Sequence, residues 1–289
     1  MHTINHFDIH GHLNFPEYDV DRAEVIERAR SAGIGMITVG TDIESSKKAI
    51  ELAEQHEGMW TTVGIHPTDV TTLTDADFES LKSLAAHPKV VAIGECGLDY
   101  FHCGPEEISK QREIFEKHIA LANEVGKPLM LHVRNAKPVS AKPVHAKVNG
   151  NDASGATHTD IAHFATQAHN AYQEAITLLK EKSRVPANFH FFAGTLEDAR
   201  AIVEMGNTMS FTGVLTFARN YDEVVRTIPL ESMMTETDCP YVAPVPNRGK
   251  RNEPSYVLEV IKKIAEIRGD DFDTVAKQLR ANVKRVFGV

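Results

Sequence analysis

Short apolar, β-rich runs alternate along this chain with longer segments whose apolar positions recur every three or four residues. Eight runs can be read: residues 3–12, 34–40, 60–66, 90–95, 128–133, 187–192, 208–212 and 232–238. The segments between them carry helix start and stop signals. In 21–32, Asp21 is placed to cap the N-terminus and Gly33 to end the helix, and 106–125 is closed by Gly126. Residues 171–182 form an amphipathic pattern with Ile176, Leu178 and Leu179 toward a sheet, and two more patterns, 254–268 and 272–286, follow the eighth run. Regular strand–helix alternation predicts βα units and a parallel sheet. Eight units suit an α/β (β/α)8 TIM barrel, usually ~250 residues. An open doubly wound sheet would favour a Gly-rich phosphate loop after the first strand, and none is present. The expectation is a single barrel domain over residues 1–289.

One segment breaks the rhythm. Residues 137–169 are rich in Lys, Ala, Pro, His, Asn and Thr, with Phe164 as their only aromatic, and the chain repeats Ala-Lys-Pro-Val at 136–139 and 141–144. Such a composition cannot bury a core, so the segment reads as a long polar insertion after the fifth strand, a solvated excursion rather than a substrate lid.

Composition narrows the class. Hydrophobic residues make up 42% and charged residues 25%, the balance of a globular protein with an ample core. The formal net charge of −9 argues against bulk coating of nucleic acid but leaves room for an enzyme acting on it. No apolar stretch has the length of a membrane span, the first residues lack a signal-peptide pattern, and three cysteines are too few for a disulfide scaffold. A cytoplasmic protein with no membrane partner is expected. Fifteen histidines is a high count, and chance alone gives about 0.8 His-x-His pairs, so the one pair present needs support from elsewhere.

That support comes from position. In a parallel barrel, catalytic side chains project from the C-terminal ends of the strands. His10 and His12 close the first run, and strand alternation points both into the barrel mouth with Ile9 and Gly11 toward the helices. Glu95 ends the fourth run, His132 lies at the end of the fifth, His190 of the sixth, and Asp238 closes the eighth. Alone, a strand histidine is more often a satisfied core partner and a strand-end acid a cap. Six such residues at one end of a barrel instead suggest a site for Zn, Mn or a similar divalent ion. His66, ending the third run, is either a substrate contact, a support for a ligand or a core histidine. Arg134 shares the face of His132 and suits a phosphate. Arg248, Lys250 and Arg251 form a basic loop placed for phosphate contact, the alternative being a solvated charged loop. Cys96 and Cys239 each follow an acidic candidate, and alternation sends both to the outer face as small buried residues. His102 and Cys103 receive no role.

These residues carry a resemblance to the TatD-type metal-dependent deoxyribonucleases of the amidohydrolase superfamily. The matching pieces are Asp8-Ile9-His10-Gly11-His12-Leu13, Gly64-Ile65-His66-Pro67 and Gly94-Glu95-Cys96-Gly97-Leu98-Asp99-Tyr100. They continue with Gln111 to Phe115, Leu131-His132-Val133-Arg134, His190-Phe191-Phe192-Ala193-Gly194, Thr235-Glu236-Thr237-Asp238-Cys239-Pro240-Tyr241 and the loop 243–254. The similarity spans nearly the whole chain except the insertion, which is atypical, as is Asn135 where the family usually has Asp.

The resemblance implies two divalent metal ions, Mg, Mn or Zn. His10, His12 and Asp238 would hold one, His132 and His190 the other, with Glu95 bridging and Asp238 as general base. It implies hydrolysis of phosphodiesters in nucleic acid, DNA above all. The alternative is an amidohydrolase-type enzyme acting on an amide, lactone or acyl ester. Many such barrels place a carboxylated lysine on strand four, where this chain has Glu95, with Lys89 at the wrong end of that strand. A non-catalytic metal-binding protein would lack a ligand or a base, and none is lacking.

Overall fold

The computed structural model describes residues 3–137 and 170–289. Eight strands, β1 (His6–Gly11), β2 (Ile34–Val39), β3 (Met59–Val63), β4 (Val90–Asp99), β5 (Leu129–Arg134), β6 (Ala187–His190), β7 (Thr208–Phe211) and β8 (Met233–Thr235), each overlap one of the expected runs. They pair in parallel in chain order. The seam between β1 and β8 is closed just beyond β8: Asp238 N donates to His10 O at 2.8 Å and His12 N to Cys239 O at 2.7 Å. Gly11 makes that closure possible, because a Cβ there would stand 2.7 Å from Cys239 Sγ. The architecture is the predicted (β/α)8 barrel.

Among the described residues the α-helices are α1 (Arg22–Ser31), α2 (Ile43–Gln55), α3 (Asp75–Ala85), α4 (Pro105–Val125), α5 (Ala171–Lys182), α6 (Leu196–Glu204), α7 (Asp222–Thr227), α8 (Val257–Arg268) and α9 (Phe272–Phe287). Their starts follow local chemistry. Asp42 with Ser45, Thr74 with Asp77, and Thr195 with Asp198 form reciprocal capping boxes, each satisfying otherwise orphaned backbone donors. Gly126 ends α4 at φ 67°, where a side chain is disfavoured. Asp21 departs from expectation: it precedes α1 but makes no capping hydrogen bond, its carboxylate pairing with Arg251 instead.

The described residues form three apolar clusters. Two lie between the strands and the outer helices; the third includes Phe7, Ile9, Ile37, Met130 and Met234 with Val283, Val286 and Phe287 of α9. Burying each such side chain is worth ~1.5–3 kcal/mol. Two residues further along the chain the character changes, from Met130 to His132 in β5 and from Met234 to Glu236 just past β8. The barrel is thus greasy in one layer and chemical in the next.

The expected insertion lies, beyond Lys137, outside the described residues. Its downstream anchor is described: Asn135 Oδ1 accepts from Tyr172 N at 3.2 Å, so the atypical asparagine holds the start of α5 against the end of β5. No helix among the described residues is long and apolar enough to cross a membrane.

Candidate metal centre

Two register shifts shape the site. One falls in β1 between Asp8 and Gly11, the other in β4 between Ile93 and Cys96. Extra residues of this kind re-aim side chains and gather near active sites. They correct the simple alternation expected for β1: Ile9 belongs with Phe7, Met130 and Met234 to the cluster closed by α9, not to the two beneath the other outer helices, while Asp8 bonds to Thr237 N (2.8 Å) and Oγ1 (2.6 Å). In β4, Glu95 does not end the strand, which runs on to Asp99. Just beyond the end of β3 the backbone closely approaches the middle of β4, since a Cβ on Gly64 would stand 2.6 Å from Gly94 Cα. That approach places His66 beside Glu95.

The six expected residues converge, joined by His66. Glu95 Oε2 lies 3.4 Å from His10 Nε2 and 3.8 Å from His12 Nε2. Asp238 Oδ1 lies 3.8 Å from His10 Nε2 and 3.4 Å from His12 Nε2. Donors ~2.0–2.2 Å from one tetrahedral ion stand about 3.4 Å apart, so this spacing suits atoms that share a cation. The other Glu95 oxygen, Oε1, is 2.8 Å from His132 Nδ1, 2.8 Å from His190 Nε2 and 3.5 Å from His66 Nε2. His10 is fully buried, yet neither of its ring nitrogens has a hydrogen-bond partner among the described residues. An unsatisfied buried nitrogen costs ~1–3 kcal/mol, and a cation between His10, Glu95 and Asp238 would satisfy Nε2. The donor set and its spacing therefore fit divalent ions.

Behind these groups stands a layer whose roles sequence reading missed. Asp99 Oδ2 is 3.0 Å from His132 Nε2 and 2.8 Å from His102 Nδ1. It fixes the ring so that Nδ1 faces Glu95, the arrangement by which carboxylates orient ligating histidines. The Asp99 backbone is gripped by Gln111, whose side chain accepts from Asp99 N at 2.8 Å and donates to Asp99 O at 3.1 Å. Glu236 Oε1 lies 3.4 Å from His190 Nδ1 and accepts from Phe191 N at 2.6 Å, while its Oε2 accepts from Ser210 Oγ at 2.6 Å. Val39 O, 3.3 Å from His12 Nδ1, turns Nε2 of that ring inward. Asp8, Asp99, Gln111 and Glu236 all sit inside the motifs quoted above; only their partners, distant in sequence, reveal what they do.

The electrostatics follow from this packing. Burial disfavours the Glu95 charge, but His190, His66 and His10 outweigh it and hold the carboxyl well below its usual range. Asp238 is likewise held low despite burial, by His12 and His10. Burial opposes charge on His190, yet Glu95 and Glu236 push it up to about 10. His66 behaves oppositely: burial dominates and brings it to about 3, so it is neutral at pH 7.

The cluster floors a cleft of about 310 Å3 whose walls include Phe15, His66, Arg134, Phe191 and Tyr241. Arg134 reaches this cleft with its guanidinium 5.4 Å from the Phe191 ring and no ion pair among the described residues. Arg248 and Lys250 are exposed, Arg248 stacking on Phe217 at 3.5 Å. Arg251 is not brought to the cleft. Its guanidinium donates to Glu17 O and Asp21 and lies over Tyr18, which removes it from the expected phosphate contacts. Cys96 and Cys239 are fully buried free thiols in the outer clusters, as alternation predicts.

Known proteins share this arrangement of chain. The family described as TatD related DNase matches residues 7–288. The uncharacterized metal-dependent hydrolase YabD of Bacillus subtilis (strain 168) is 37% identical, over 98% of this chain and 99% of its own length. The 3'-5' ssDNA/RNA exonuclease TatD of Shigella flexneri serotype 5b is 32% identical, over 98% of this chain and 99% of its own. Among solved structures, the TatD homolog YJJV of Escherichia coli K12 superposes with a TM-score of 0.80 at 26% identity, covering 99% of this chain and 98% of that one. The greasy-then-chemical barrel described above is accordingly that of a member: the chain belongs to the TatD-related DNase family.

Proposed function

We propose that this chain, acting as one catalytic domain over residues 1–289, hydrolyses phosphodiester bonds in nucleic acid strands at a centre of two divalent cations. The observation that carries this reading is the split of Glu95, one oxygen facing His10 and His12 and the other facing His132, His190 and His66. His10, His12 and Asp238 would hold one cation, His132 and His190 the second, with His66 beside it. Bound there, divalent ions supply Lewis acidity, polarising a phosphoryl oxygen and lowering the pKa of water. Asp238, kept ionised by its histidine neighbours, is placed at the cleft to accept the proton of the attacking water. His132 and His190 are locked by Asp99 and Glu236, so little reorganisation is needed as charge develops. Arg134, at the cleft wall with no ion pair among the described residues, offers a forked donor to a neighbouring phosphate. The unpaired thiols fit a cytoplasmic setting.

The amidohydrolase alternative finds no support in β4: Lys89 donates to Met59 O at 3.1 Å, at the opposite end of the strand from Glu95. The test is a panel of single-stranded DNA, duplex DNA, RNA and an acyl ester, each with Mg2+, Mn2+ and Zn2+. Cleavage of nucleic acid is expected. Hydrolysis of the ester alone would overturn the reading.

Outside the cleft, Arg248 and Lys250 are exposed and have no ion pair among the described residues, which leaves both charges available to phosphate. Reversing both charges (Arg248→Glu with Lys250→Glu) is expected to raise KM for oligonucleotides and to flatten the salt dependence of binding by roughly 0.7 log units per lost contact. An unchanged salt slope would assign this loop to solvent.

A further inference from the structure

The large apolar side chains exposed among the described residues are Val20, Phe101, Phe217, Tyr241 and Val245. Each lies in a loop that follows a strand, on the face that carries the site; the barrel's packing gives no reason for them to be there. Tyr241 is the one that also lines the cleft, with 47% of its surface open. Its ring centre stands 6.4 Å from that of His12 at a tilt of 62°. Its backbone is fixed by the turn that places Asp238, Tyr241 N donating to Asp238 O at 2.9 Å and Asn252 Nδ2 donating to Tyr241 O at 2.6 Å. The hydroxyl has no hydrogen bond among the described residues, so the open ring, rather than the hydroxyl, is what this position presents. Phe15, stacked on His12 at 4.5 Å and 20°, extends the same wall.

We infer that Tyr241 is the stacking platform for the unpaired nucleobase adjoining the phosphate to be cleaved. This rests on the phosphodiesterase reading and adds to it. A phosphate drawn to the cations that Glu95 and Asp238 would hold would bring its neighbouring base to this wall of the same cleft, and every base offers a π-face whatever its sequence. A paired terminal base is already stacked and held by its complement, so the platform favours frayed or single-stranded ends over blunt ones.

The experiment compares kcat/KM for a single-stranded oligonucleotide and for the same strand with its terminal base removed, in the wild type, Tyr241→Ala and Tyr241→Phe, with bound metal measured in each. Removing the base, or the ring, is expected to lower kcat/KM about tenfold or more, the scale of base–aromatic stacking. The two losses should not add, Tyr241→Phe should keep the wild-type preference, and metal content should not change. Equal loss on both strands in Tyr241→Ala would overturn the proposal, as would a wild type indifferent to the base; in either case the phosphodiesterase reading stands. Failure of the metal-loaded wild type to cleave either strand would instead overturn that reading and this proposal with it.

Discussion

Asp238→Asn is expected to lower kcat at least ~10²-fold while both cations stay bound. The substitution keeps size, shape and one carbonyl oxygen for a cation, and removes the charge and the proton acceptor. The backbone should tolerate it, because Asp238 sits at φ 54° and asparagine is among the few side chains that adopt the left-handed region readily. Asp238 Oδ1 lies 3.4 Å from His12 Nε2 and 3.8 Å from His10 Nε2, so its loss also weakens one cation's surroundings. Metal content must therefore be measured on the sample used for kinetics. Near-normal turnover at full occupancy would remove Asp238 as the base. His66, which lines the same cleft, would then be the next candidate.

Glu95→Ala should fail in a different way. Its two oxygens lie within 4 Å of both histidine groups, whereas among the described residues Asp238 comes that close only to His10 and His12. Removing it leaves Asp238 beside His10 and His12 as the remaining anion, and takes away the carboxylate that lies between His132 and His190. Metal affinity should fall by more than the ~10–100-fold that loss of a supporting partner costs, and activity should fall with it. Asp99→Asn supplies the internal comparison, since Asp99 only orients His132 and should stay within that range. Equal metal content in Glu95→Ala and wild type would dismiss the bridging role.

The fold and the convergence of the six site residues were legible because both depend on short-range pattern. Apolar runs spaced by amphipathic segments define βα units, and the barrel brings the C-terminal ends of its strands together whatever their order. The boundaries of α5 were readable for the same reason: Asn170 accepts from Gln173 N and caps the helix locally. What escaped was set by distant partners or by backbone irregularity. The shift between Asp8 and Gly11 sends Ile9 inward, and nothing in an alternating run announces an extra residue. Asp21 looked like a cap, but an arginine 230 residues away pairs with it, which also withdraws Arg251 from the basic loop. Asp99 and Glu236 have no meaning until β5 and β6 bring His132 and His190 beside them. Tyr241 was visible as a motif letter; its significance lies in its exposure, which only the fold determines.

This cluster is expected to work through bound divalent ions. The direct measurement is elemental analysis of the purified chain, with cleavage of a single-stranded oligonucleotide followed before chelation, after it and after metal is returned. Two divalent ions per chain, abolished activity on chelation and its recovery on reloading are the expected results. A chain without metal that cleaves undiminished after chelation would contradict the account.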